Sequence, residues 1–138
     1  ENLIFDAISL DYSETLMAAA GHQAEEAMKN AIRENWGNYL LLVDGSLPVE
    51  MPEYSVIGGV SNLDMLKEVA AGAKAIVAIG TCAAFGGLPA ANPNPIGARA
   101  ISDVIKDKPI VNVSGCPPMP IAITSVLVHY LTFGTLPE

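Results

Sequence analysis

Four runs of aliphatic residues, starting near Leu3, Tyr39, Ala75 and Pro109, divide the chain into nearly equal quarters. The interval of roughly 35 residues is what a strand, a crossover helix and two turns occupy in a βα unit. That rhythm predicts a layered α/β sandwich with a mainly parallel sheet and helices in the connections. No sequence repeat accompanies it, so a solenoid is excluded. A chain of 138 residues is enough for one domain able to bury roughly two-thirds of its unfolded surface. With 51% hydrophobic and 16% charged residues it is not a disordered polypeptide.

The first run, Leu3 to Leu10, reads as a strand. Asp11 with Glu14 resembles a capping box, and apolar positions from Leu16 to Ile32 predict a helix over about 13–35, ended near Gly37. Tyr39 to Val43 is short, wholly apolar and bounded by Asn38 and Asp44-Gly45-Ser46, hence a buried strand. Leu47 to Tyr54, with two prolines, is expected to be a loop. Ser61 can cap a second helix that leads into the strand Ala75–Ile79. Leu88 to Pro95 contains three prolines and predicts a fixed loop. A short helix over about 97–105, the strand 109–113 and a last helix starting near Pro120 complete the order.

The only two cysteines follow two of these strands, in Gly80-Thr81-Cys82-Ala83-Ala84-Phe85-Gly86-Gly87 and in Ser114-Gly115-Cys116-Pro117-Pro118. In an open α/β sheet ligands bind beyond the carboxyl ends of the strands, so the two thiols are expected to meet there. Iron–sulfur clusters need thiolate sulfur, space for a cage of atoms, and N–H groups near the sulfides. Gly80, Gly86, Gly87 and Gly115 leave that space. Thr81 could donate to a sulfide or satisfy a strand-end carbonyl. Four thiolates hold a cubane cluster and this chain supplies two, so a disulfide or two inert thiols stay open as readings of the residues alone.

Taken together, Ile8-Ser9-Leu10-Asp11-Tyr12, Asp44-Gly45-Ser46, Gly80-Thr81-Cys82-Ala83-Ala84-Phe85-Gly86-Gly87, Asn92-Pro93-Asn94-Pro95 and Gly115-Cys116-Pro117-Pro118 resemble the small, electron-transferring subunit of nickel–iron hydrogenases. The resemblance runs in order through essentially the whole chain. It implies a flavodoxin-like domain over residues 1–138, a fragment of a longer subunit that lacks its first strand. It also implies a proximal [4Fe–4S] cluster, with Cys82 and Cys116 as its third and fourth ligands. The first two would lie on a Cys-x-x-Cys turn outside this segment, and the C-terminal cluster region is likewise outside. Partners implied are the nickel-bearing large subunit, which would carry the H2 chemistry, and a further electron carrier such as a cytochrome. No nickel ligand is expected in this chain. The location implied is the periplasm or the periplasmic face of the inner membrane, with the address upstream of Glu1.

Gly-Cys-Pro-Pro alone also fits the related iron–sulfur subunit of respiratory NADH:quinone oxidoreductase, which is the alternative reading. A flavodoxin-like binding module with structural cysteines is the third. Against the family pattern, Asp44 stands where Glu is frequent and Ser114 where Pro is common. Gly87 stands where certain oxygen-tolerant relatives place an extra cysteine. Asp44 is either a proton-relay carboxylate or simply part of an Asp-Gly-Ser turn. His22 and His129 read as surface and packing residues.

The net charge of −8 is the opposite of a phosphate-binding footprint, which argues against nucleic acid. No apolar run approaches the roughly 20 residues that span a bilayer, so this segment is not expected to insert. There is no Ser–His–Asp arrangement, Walker string or Gly-x-Gly-x-x-Gly fingerprint.

Overall fold

A computed structural model describes residues 3–137; Glu1, Asn2 and Glu138 lie outside them. In chain order the elements are α1 (His22–Glu34), β1 (Tyr39–Asp44), β2 (Leu47–Pro48), β3 (Val56–Ile57), β4 (Val60–Ser61), α2 (Asn62–Gly72), β5 (Ala73–Ile79), α3 (Gly80–Phe85), β6 (Ala98–Arg99), α4 (Ile101–Val104), β7 (Ile110–Val113) and α5 (Pro120–Phe133). The centre is a parallel sheet in the order β1-β5-β7. β2 pairs antiparallel with β6, and β3 with β4. The fold is α/β, of the flavodoxin-like class.

One face of the sheet carries the core. Leu41, Ile76 and Ile110 stand in register, with Val43 beside Ala78 one step on. Against them pack Leu63, Leu66 and Ala70 of α2, with Leu47, Ala83, Ile101 and Ile105. Strand residues two apart share a face, so this apolar set is built from alternate positions. On the other face Val77 is completely buried, while its register partner Leu42 is 42% exposed. The cover thins toward β1, which with β7 is an edge strand of this sheet among the described residues.

α2 begins where the sequence places it. Ser61 Oγ accepts the Asp64 N–H at 3.1 Å, satisfying an orphan donor of the first turn, and its own hydroxyl donates to Asp64 Oδ2. At the far end a Cβ on Gly72 would stand 2.6 Å from the Trp36 ring, so the helix meets that ring only because the residue is glycine. The Tyr39 hydroxyl donates to the Val69 carbonyl, and burial raises its pKa above 10, keeping it a donor. Lys108 Nζ donates to the carbonyls of Ala71, at 2.8 Å, and Ala73, at 2.9 Å, tying the approach to β7 to the start of β5.

Several expectations are corrected. Leu3–Ala7 form one wide turn, closed by Ile8 N–H to Leu3 C=O, instead of a strand. A strand needs a partner for its ladder, and none pairs with this segment among the described residues. The first helix starts at His22 because Gly21, at φ 58, has a backbone that no helix interior accepts. Asp11 accepts from the Ser9 hydroxyl and caps nothing. The loop expected over 47–54 opens with the short strand β2, and the helix expected over 97–105 is split into β6 and α4. Within the proline-rich loop, Leu88–Ala90 wind into a single 3-10 turn.

Candidate functional site

β5 and β7 end side by side, with Ile79 in register with Val113. Each strand is followed within three residues by a cysteine. Cys82 lies in the six-residue helix α3, which runs without a break through Ala83 and Ala84 and is stopped by Gly86 at φ 91. Gly86 N–H donates to the Cys82 carbonyl at 2.8 Å, closing that helix end. Cys116 lies in an irregular turn after β7 and is exposed; Cys82 is half-buried. Both are free thiols.

The glycines around them act through what they lack. A Cβ on Gly87, whose φ is +59, would stand 2.4 Å from Cys82 Sγ. A Cβ on Gly115, at φ +137, would fall 2.4 Å from Pro118 Cα. Gly80, at φ +86, faces Asp44 Oδ1 and the Gly115 carbonyl, each 3.5 Å from where a Cβ would be. At Gly87 and Gly115 glycine thus allows a close approach that any side chain would block, and at Gly80 it allows a positive φ. Thr81 joins the two cysteine turns: its N–H donates to the Gly115 carbonyl at 2.9 Å, and its hydroxyl accepts the Gly115 N–H at 3.2 Å. The hydroxyl thus accepts a backbone N–H where the sequence suggested that it would satisfy a carbonyl, and the Gly115 carbonyl is met by the Thr81 backbone N–H.

All six residues singled out from the sequence thus lie at one sheet end: Gly80, Thr81, Cys82, Gly115, Cys116 and Asp44. The donor set is two thiols. Among the described residues no group of three His, Cys, Asp or Glu side chains comes together to hold a metal ion. The two thiols stand beyond neighbouring strands at the same sheet end. His22 is exposed at the start of α1, and the His129 ring lies 4.7 Å from that of Phe133 with Nδ1 near the Thr135 carbonyl, so neither belongs to the site. A cavity of about 440 Å³, lined by Val49, Leu63, Lys67, Arg99, Asp103 and Val104, contains none of the site residues.

Sequence reasoning missed an apolar fringe. Phe85 and Leu88, just after Cys82, are 61% and 86% exposed; Met119 and Ile121, just after Cys116, are 68% and 65% exposed. The signal was available: large apolar residues beside glycine or proline at the ends of elements, where a turn of chain leaves them uncovered. No helix among the described residues is long and apolar enough to cross a membrane.

Comparison with known proteins follows the same line. The chain is 48% identical over its whole length to the uptake hydrogenase small subunit of Azotobacter vinelandii, of which it covers 39%. It is 46% identical to the hydrogenase-1 small chain of Citrobacter freundii and 42% identical to the hydrogenase-2 small chain of Escherichia coli K12, covering 37% of each. It therefore spans less than two-fifths of the length of these curated relatives. Among solved structures, the recombinant [NiFeSe] hydrogenase of Desulfovibrio vulgaris Hildenborough matches 95% of this chain and 50% of its own at TM-score 0.89 and 38% identity. A reduced, active Ni-Fe-Se hydrogenase of Desulfomicrobium baculatum matches 99% of this chain and 56% of its own at TM-score 0.91 and 32% identity. With hydrogenase small subunits as its relatives, and with residues 1–130 matched by the family model described as NADH ubiquinone oxidoreductase, 20 Kd subunit, the chain belongs to that family.

Proposed function

We propose that this chain is the cluster-bearing part of a nickel–iron hydrogenase small subunit. Cys82 and Cys116 each give a thiolate to one [4Fe–4S] cluster, and two further cysteines from outside this segment complete the cage. The observation that carries the reading is the meeting of the two cysteine turns beyond β5 and β7, joined through Thr81 and Gly115 and packed closely at glycines. Such a cluster, when bound, supplies one-electron transfer; this chain's residues place it, shape its surroundings and limit water around it. The fringe of Phe85, Leu88, Met119 and Ile121 is apolar surface of the kind a tightly held partner covers, and the large subunit of the hydrogenase is the partner that fits. Asp44, at the same sheet end, is read as a proton-relay carboxylate or as part of its Asp-Gly-Ser turn.

The test is anaerobic isolation of the complete native protein with its partner. The expected result is a [4Fe–4S] signal by electron paramagnetic resonance and iron analysis, together with hydrogen uptake. Cys82→Ala or Cys116→Ala should reduce cluster content at least about ten-fold, because a lost thiolate is a lost iron ligand. Full iron in either variant would remove the cysteines from the proposal. The family description favours a second reading, a quinone-reducing respiratory subunit on the same fold. Quinone reduction driven by NADH, without hydrogen uptake, would select it.

A further inference from the structure

The bonds between the two cysteine turns are not part of the sheet, since β5 ends at Ile79 and β7 at Val113. They form a separate reciprocal pair between the residue before Cys82 and the residue before Cys116. One half is backbone alone: Thr81 N–H to Gly115 C=O, at 2.9 Å. The other half needs a side chain: Gly115 N–H to Thr81 Oγ1, at 3.2 Å. Gly115, at φ +137, turns its N–H out of the ladder direction, and among the described residues Thr81 Oγ1 is the acceptor recorded for it. A β-branched side chain has few χ1 states, so threonine holds that oxygen in place more firmly than serine would.

We propose that Thr81 is a positioning residue: its hydroxyl sets the spacing of the Cys82 and Cys116 turns, so that both thiols are arranged before anything binds them. This rests on the reading that one group takes both thiols. Preorganisation of this kind acts on retention of the bound group, because a loosened site must be reordered each time it closes. The bland alternative is that the hydroxyl merely satisfies an N–H with no effect on the thiols. Valine separates the two, since it keeps the shape and the backbone bond while removing the acceptor.

The experiment follows iron release to a chelator, under anaerobic conditions, from the complete native protein and its Thr81→Val and Thr81→Ser variants. A net hydrogen bond contributes about 0.5–1.5 kcal/mol, so T81V is expected to shed iron roughly three- to ten-fold faster. T81S should stay within about two-fold of the native protein, the hydroxyl being retained. Equal rates for T81V and the native protein overturn the proposal, as does T81S behaving like T81V. If the native protein carries no iron, the cluster reading fails and the thiols themselves decide. Bridging of Cys82 to Cys116 by dibromobimane, mapped by mass spectrometry, should then fall by a similar factor in T81V, and unchanged bridging overturns the spacing role. Should T81V and Thr81→Ala both fail to fold, the hydroxyl is a requirement of the fold and not a spacer of thiols, which also overturns it.

Discussion

At the scale of single residues, the site depends on side chains that are missing as much as on the two thiols present. Gly87 and Gly45 both have a positive φ, yet only Gly87 has Cys82 Sγ against it; around Gly45 there is open space. Gly45→Ala is therefore expected to cost only backbone strain, about 1–2 kcal/mol in denaturant unfolding, with iron content unchanged. Gly87→Ala should cost the same strain and also move the Cys82 sulfur, so that iron content falls with stability. Iron content equal in the two alanine variants would show that Cys82 tolerates displacement. That the Gly80-Thr81-Cys82 and Gly115-Cys116 strings come to one sheet end was legible in the sequence, because each directly follows a strand-like aliphatic run. The Thr81–Gly115 bond was not, since a hydroxyl's partner 34 residues away is decided by register between strands.

Elements were legible where local chemistry and packing agree. Ser61 caps α2 and that helix buries Leu63, Leu66 and Ala70, so propensity, cap and core all point one way. Ser61→Ala removes the acceptor for the Asp64 N–H and is expected to destabilise the protein by about 1 kcal/mol, measured as a lower urea midpoint with an unchanged slope. A midpoint that does not move would mean that the cap carries no net weight. The segment before α1 failed for the opposite reason. Leu3 to Leu10 has strand composition, but strand formation is decided by a neighbour, and composition cannot report whether one is in place. The Asp11 and Glu14 spacing had the form of a cap without a helix behind it, because Gly21 delays the first turn. At Cys82 the presence of glycine on both sides masked Ala83-Ala84-Phe85, a run that continues a helix until Gly86 ends it.

For the molecule as a whole, two kinds of surface stand without cover among the described residues. No strand there pairs with the outer side of β1, beside Leu42, or of β7, and α5, rich in aliphatic residues, has Leu127 as its buried one. Such edges and faces recruit other chains. The net charge of −8 opposes association but acts at longer range and is screened by salt. The 138-residue chain produced alone is therefore expected to self-associate increasingly with salt and to unfold with low cooperativity, read by light scattering and urea titration. A monomer with a sharp transition in 0.5 M salt, an ionic strength at which screening acts within roughly 3–10 Å, would show that both surfaces are covered by the chain itself.

The two thiols differ in depth, Cys116 at the surface and Cys82 half-sheltered with Gly87 against its sulfur. Approach from solvent is thus one-sided. Whatever enters or attacks this corner, whether a metal fragment, an alkylating agent or an oxidant, reaches the outer sulfur more readily than the inner one, so filling and damage both begin at the same thiol.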